Sequence, residues 1–526
     1  MSRAFDNKSS LQQKILKGVN TLADNVASTL GPRGRNVILQ ENGKAPFITK
    51  DGVTVAHFVS LEDPFENAGS QIIKQAAIET NNTAGDGTTT ATVLARGILN
   101  ESQKYIATGV SPIELKRGID ATVKQITKNL EEMATPVTSA EDIAHVATIS
   151  ANNDSAIGNL VTLAIDRVGE DGSITIEESR SLDTSIDVTE GFKVESGYCA
   201  SAFITDERRA TMNYEEPLIL VTDYKISQVE PILPLLEMVA REGRPLIIVA
   251  EEIDGQALAA MIMNAIRGTL KIAAIKAPYY GEERRYLLDD LALSVGATFI
   301  TRESGTKLAD VKLSDLGMAR AIESTKYTST IVGGKSNFKS IDERIQALKK
   351  QVKDTDSMAE AQMLQSRVVR LSSGVAIISV GGSTEVEMIE RKHRIEDALE
   401  AVRSAQDKGI VGGGGMALLR ASRDVEVTVS HEDQNIGKLI VLEACKAPFK
   451  QMALNAGESP DVLTNLVLNS EDGTGWDFRN NKLTNMIESG IIDPVKVTTT
   501  ALQNAASCAG TLITTGFAII QTEDKQ

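Results

Sequence analysis

Residues 83–92 read TAGDGTTTAT: two glycines bracket one carboxylate, and threonines and alanines follow. Ala91, Leu94, Ala95 and Ile98 then recur at helical spacing, so the stretch predicts a loop opening onto a helix N-terminus. Such a helix start leaves N–H groups unpaired and carries the positive end of the peptide dipole, which suits an anion. Taken alone, the stretch is ordinary turn chemistry with Asp86 as an N-cap.

The 526 residues exceed what one hydrophobic core usually organises, so several domains are expected. The 55 Lys and Arg against 71 Asp and Glu leave a formal charge of -16, which argues against nucleic acid or an anionic membrane as partner. Cys199, Cys445 and Cys508 are far apart and odd in number, and read as free thiols of a reducing compartment. The opening MSRAFDNKSS lacks the apolar core of a signal peptide, and no apolar run reaches the length of a membrane span. A cytoplasmic protein is expected.

The first quarter of the chain is helical in texture, with Leu11, Ile15, Leu22 and Val26 on one face. NVILQ (36–40) and FITKDGVTVA (47–56) read as short strands, with Asp51-Gly52 as a hairpin turn. Beyond residue 133 the runs VGEDGSITIEE (168–178) and TSIDVTEGFKVESG (184–197) are strand-like. From about 217 to 302 strands alternate with helices: PLILVTD, RPLIIVAEE, LKIAAIKAP and ATFIT are separated by VEPILPLLEMVAREG and GQALAAMIMNAIRG. Stretches 340–354 and 357–372 predict a helical hairpin, GVAIISVGG (374–382) a strand, and the next run a long helix to Lys408. Helical texture then returns, so a domain built from both chain ends with the middle inserted is the natural organisation.

Neither GxxxxGK[ST] nor a GxGxxG between strand and helix is present. Three other segments have the composition of a phosphate cradle: TLGPRG (29–34), TKDGVT (49–54) and GIVGGGGMAL (409–418). The two helices of the α/β stretch are apolar on more than one face. They read either as fully buried helices or as helices with one face left open for apolar partners, to which Met261 and Met263 would adapt. Asp397, beside Glu396, reads by itself as a solvated helix carboxylate.

Read together, TLGPRGRNVIL, ITKDGVTVA, AGDGTTTATVLA, TISANND, RIEDALEAVRSA and GIVGGGGMALLR resemble, in order and spacing, a group I chaperonin of the GroEL type. The resemblance runs from about Leu11 to about Thr515. It implies a multidomain α and α/β fold: a mostly helical equatorial ATP-binding domain (1–132 and 408–526), a small α+β intermediate hinge domain (133–189 and 375–407) and an α/β apical domain (190–374). It also implies a homo-oligomer of seven-membered rings that captures non-native polypeptides, encloses them under a GroES-like co-chaperonin lid and hydrolyses ATP. A divergent ATP-independent holdase or scaffold is the competing expectation.

Carried over by position, the nucleotide contacts implied are Thr29, Leu30, Gly31, Pro32, Lys50, Asp51, Gly87, Thr88, Thr89, Thr90 and Ser150. Asp86 would ligate Mg²⁺, and K⁺ would lie near Thr29, Lys50 and Thr89. Asp397, with Asp51, would carry the hydrolytic step; Gly413, Gly414 and Asp493 would face the ribose and base. Polypeptide contacts fall on Tyr198, Phe203, Leu233, Leu236, Leu258, Ile262 and Met263. Several features depart from the family pattern, among them Ser196 in place of an arginine that pairs with the carboxylate carried here by Glu385. Asp477-Phe478-Arg479 stand where Asn-Ala-Ala is usual near the adenine, Ala202 replaces an apical tyrosine, and Lys450 faces Ser459 where an inter-ring acid is usual.

Overall fold

The computed structural model describes residues 2–522 apart from 42, 44, 45, 169–172, 180, 337, 356, 373 and 424. The chain divides into two compact units, one built from 1–162 and 382–526, the other from 163–381.

In the first unit, Leu11, Ile15, Val19, Leu22 and Val26 line one face of the Lys8–Ala27 helix and are all buried. The Val495–Ile513 helix enters the same core with Ala501, Leu502, Ala505, Ala506 and Ala509. Glycine lets other helices touch backbone to backbone. A Cβ on Gly118 would stand 2.2 Å from the Gln434 carbonyl oxygen, and one on Gly437 would stand 2.4 Å from that of Leu115. The Pro112–Glu132 and Glu432–Ala444 helices therefore join opposite ends of the chain in one core. Strands Ser2–Asn7 and Phe517–Thr522 pair antiparallel and complete that union.

The run 47–56 departs from expectation. Only Phe47–Thr49 is strand, paired with Val37–Leu39, while Gly52–Phe58 is helix. The Asp51 carboxylate accepts the N–H groups of Val53 at 3.2 Å and Thr54 at 3.0 Å, so capping overrides the local alternation.

In the second unit, Leu218–Val221, Leu246–Ala250 and Ile272–Lys276 pair in parallel and are buried almost throughout, as β-branched runs covered on both faces require. The sheet continues through Gly317–Ser324, Ser329–Gly334, Ser185–Val194, Gly374–Val380 and Ser173–Glu178. Residues 169–172 of the strand-like run 168–178 lie outside the described residues. ATFIT contributes only a bridge from Ile300 to Thr222, not the strand its composition predicts. The predicted helical hairpin is Phe338–Asp354 followed by Met358–Ser372. Arg367 anchors it, donating to the fully buried Asp290 carboxylate at 2.7 and 2.8 Å.

The three cysteines are free thiols. No helix among the described residues is long and apolar enough to cross a membrane.

Candidate functional site

The helix announced by TAGDGTTTAT runs Thr88–Ile106. Its cap position falls on Gly87, not on Asp86: Gly87 is left-handed at φ +88° and offers no side chain to the first-turn N–H groups. Both glycines are sterically required, since a Cβ on Gly85 would lie 2.0 Å from Glu400 Cβ and one on Gly87 2.6 Å from a Val497 methyl. Asp86 is thereby released from capping. Its carboxylate accepts the Gly87 amide and, at 2.9 Å, the hydroxyl of Ser150.

Two further loops converge on this helix end. Gly31 turns at φ +81°, and its carbonyl accepts the Lys50 ammonium at 3.0 Å. Gly52 packs onto the helix start itself: a Cβ there would stand 2.4 Å from Thr89 Oγ1 and 2.9 Å from Thr88 Oγ1. Asp51, which caps Gly52–Phe58, also accepts the Thr54 hydroxyl at 2.5 Å.

The cleft enclosed by these segments measures about 430 Å³ and lies within the first unit. Thr29, Leu30, Gly31, Pro32, Lys50, Asp51, Asp86, Gly87, Thr88, Thr89, Thr90, Ser150, Asp397, Gly414 and Asp493 all line it. Gly413 does not; it backs Asp493, whose Oδ1 a Cβ at 413 would approach to 2.9 Å.

Asp397 is not a solvated surface carboxylate. On the Glu385–Lys408 helix, Glu390, His393, Arg394 and Asp397 share one face and meet the cleft together, while the neighbouring Glu396 is buried. Arg394 is held by Asp154 at 3.0 Å and by Glu390 at 2.7 Å. The reading by motif missed Glu390, His393 and Arg394, although their spacing from Asp397 by three, four and seven residues is the signal that would have found them. Trp476 on the far wall was missed as well, and no local pattern marks it.

The electrostatics show an unbalanced site. Burial pushes the Asp86 carboxyl up, opposed by its hydrogen bonds from Gly87 and Ser150. Asp493 is pushed up to about 7 by burial, with the Asp86 charge adding to it. Lys50 is pulled down by burial and by the nearby Arg394 charge. Crowded carboxylates favour a bound cation, and a desolvated ammonium beside uncapped N–H groups favours an anion. A phosphate chain carrying a hard divalent cation satisfies both, so the residues present fit nucleotide and Mg²⁺.

In the second unit, the helices Leu233–Glu242 and Gly255–Arg267 are not fully buried. Ile232, Leu235, Val239, Ala257 and Met261 lie in the core, so Met261 is not part of an adaptable surface. Leu233 and Met263 are each 46% exposed and Ile266 67%, with Leu258 and Ile262 half-buried beside them. Tyr198 is half-buried, its hydroxyl donating to the Ala210 carbonyl at 3.0 Å. Phe203 and Leu236 belong to the core, at 1% and 8% exposure. Ile266 extends the open face by one turn and was missed, although it stands three and four residues beyond Met263 and Ile262.

Lys450 is paired inside its own chain, with Glu443 at 2.8 Å and Asp461 at 3.2 Å.

Residues 22–522 match the TCP-1/cpn60 chaperonin family. Among solved structures the chain is similar to the chaperonin gp146 from the bacteriophage EL 2 (Pseudomonas aeruginosa), crystallised in the presence of ATP-BeFx. In crystal form II the identity is 21%, 99% of each chain is covered and the TM-score is 0.65. Crystal form I gives 22% identity, 99% of each chain and a TM-score of 0.60. At that identity the likeness is one of fold.

Proposed function

The chain belongs to the TCP-1/cpn60 chaperonin family, and from that premise we propose that it is an ATP-hydrolysing chaperonin, which binds non-native polypeptides on apolar helices and promotes their folding in a ring cavity. The observation that carries this reading is the convergence of stretches from both ends of the chain on one cleft of about 430 Å³, lined by carboxylates, hydroxyls and an uncapped helix end.

In this reading Gly87, Thr88, Thr89 and Thr90 offer N–H and hydroxyl donors to phosphate oxygens. Asp86 holds Mg²⁺, which when bound neutralises phosphate charge. Thr29, Lys50 and Thr89 adjoin the position for K⁺. Asp397 orients the attacking water and accepts its proton, while Asp51 keeps the helix Gly52–Phe58 and its glycine pressed against Thr88 and Thr89. Asp493 reaches the ribose. Positioning dominates over chemical power, as suits a hydrolysis that times a shape change.

The proposed organisation is equatorial (1–132 and 408–526), intermediate (133–189 and 375–407) and apical (190–374), assembled into seven-membered rings. The apical groove around Leu233, Leu258, Ile262 and Met263 takes clients, and a co-chaperonin lid competes for it. Non-specific apolar burial drives capture. The proposed compartment is the cytoplasm.

Steady-state hydrolysis of ATP with and without Mg²⁺, alongside recovery of a chemically unfolded client, tests the reading. Mg²⁺-dependent turnover that raises client recovery is expected. Client binding with no turnover at all would sink it in favour of a holdase.

A further inference from the structure

The chain leaves the helix Lys8–Ala27 directly into the loop 29–32 that lines the cleft. Carbonyls at a helix C-terminus carry the negative end of its dipole and repel an anion if left free. Here they are occupied. The Arg35 N–H donates to the Ser28 carbonyl at 2.8 Å, and the Lys50 ammonium to that of Gly31 at 3.0 Å. Asn455 takes two more: its side-chain amide donates to the carbonyls of Ala27 and Leu30, each at 2.9 Å. Met452, three residues earlier on the helix Ala447–Ala456, packs against Gly31, where a Cβ would stand 2.8 Å from the Met452 Cγ.

A chain of donors behind the loop sets which way the Asn455 amide faces. Arg96 donates to Asp24 at 2.8 Å and, from its other terminal nitrogen, to Gln451 Oε1 at 2.8 Å. A guanidinium has donors and no acceptor, so Gln451 must meet it with oxygen and turn its NH₂ the other way. That NH₂ donates to Asn455 Oδ1 at 3.0 Å, which leaves the Asn455 NH₂ to the loop carbonyls. Arg96 stands on the helix Thr88–Ile106, whose first turn lines the cleft, while Arg96, Gln451 and Asn455 lie outside the cleft lining. The relay thus ties the loop 29–32 to the Thr88 helix from behind. Resting on the nucleotide-binding reading above, we propose that Asn455 is a positioning residue for the nucleotide phosphates, oriented by Arg96 through Gln451. It withdraws the Ala27 and Leu30 carbonyls from the anion and fixes the loop in register with the Thr88 helix.

The test is calorimetric binding of ADP with Mg²⁺ to the full chain, with steady-state ATP hydrolysis and thermal unfolding on the same preparations. Asn455→Leu keeps the volume and removes the donors. It should weaken ADP about tenfold and raise KM for ATP to match, with kcat within about twofold. Gln451→Met removes the orienting link one step back and should weaken ADP about threefold. The double variant should bind no more weakly than Asn455→Leu, because Gln451 acts through Asn455. Asn20 and Asn100 supply the control, since they pair amide to amide at 3.3 and 3.1 Å between the same two helices but outside the relay. Asn100→Ala should lower Tm and leave ADP affinity unchanged. Native ADP affinity in Asn455→Leu and Gln451→Met would overturn the proposal, as would equal weakening in Asn100→Ala. Should Asn455→Leu fail to fold, Gln451→Met carries the same decision. A native chain that binds no ADP would overturn the parent reading, and this proposal with it.

Discussion

Ser150 donates its hydroxyl to the Asp86 carboxylate across 2.9 Å. The two residues lie on different elements: Ser150 ends the helix Ala140–Ser150, and Asp86 precedes the helix Thr88–Ile106. With the Gly87 amide on the other oxygen, the carboxylate is oriented before any cation arrives. A partner of this kind typically changes metal affinity by about 10–100-fold. Ser150→Ala is therefore expected to raise the Mg²⁺ concentration for half-maximal ATP hydrolysis about tenfold, whereas Asp86→Asn should abolish the Mg²⁺ response. Titration of activity with Mg²⁺ at saturating nucleotide checks both.

Asp397 lines the cleft from the Glu385–Lys408 helix, beside the buried Glu396, Ala398 and Leu399. In the proposed role, handling the water's proton, it should be separable from binding. Asp397→Ala is predicted to lower turnover by about a hundredfold or more while leaving nucleotide affinity within about threefold. Single-turnover hydrolysis and equilibrium binding, measured on the same preparation, give the two halves of that statement.

Gly52 offers a steric probe of the same cleft. Adding one methyl would place a carbon 2.4 Å from Thr89 Oγ1 and 2.9 Å from Thr88 Oγ1. The helix conformation at 52 tolerates alanine, so the hydroxyls must move instead. Gly52→Ala should weaken nucleotide binding by about tenfold with little change in thermal unfolding of the nucleotide-free protein. A large fall in Tm with unaltered binding would contradict the placement of those hydroxyls at the site.

The carboxyl of Asp493 predicts a pH dependence whose sign follows from its shift. Its folded pKa of about 7 lies above the ordinary 3.8, mainly through burial. The native state therefore holds a proton that the unfolded chain releases, and the associated stability is full below about pH 4 and lost as pH rises to about 7. Without nucleotide, Tm should decline from pH 5 to pH 8, and Asp493→Asn should flatten that decline. Thermal unfolding across this range measures it.

The apolar helices of the second unit separate surface from core. Ile262→Ser and Ile266→Ser should weaken capture of an unfolded client several-fold and leave ATP hydrolysis unchanged, because both side chains stand on the open face. Phe203→Ser should instead destabilise the unit by about 3–5 kcal/mol, the usual cost of deleting a buried aromatic side chain. Client binding and denaturant unfolding distinguish the two classes.

Much of the architecture is legible in the residues themselves. Leu11, Ile15, Leu22 and Val26 predict a buried helical face because one-dimensional spacing maps directly onto the 3.6-residue turn. The apolar runs around Ile219, Ile247 and Ala274 read as strands for the same kind of reason: burial on both faces removes any need for polar alternation. Several glycine-rich segments were recognisable as candidate loops, and their order along the chain indicated how they combine. The tertiary structure alone decided the matters that depend on contacts across long stretches of chain. It assigned the cap to Gly87, leaving Asp86 free to meet Ser150. It turned the predicted hairpin at Asp51-Gly52 into a capped helix pressed on Thr88 and Thr89. It buried Phe203, Leu236 and Met261 while exposing Ile266, and it left Arg479 bare at the cleft with Phe478 in the core. Local pattern fixes which face of an element is apolar, since that depends on the backbone period. Which carboxylate faces a cation, and which apolar side chain faces solvent, depends on neighbours the local period does not specify.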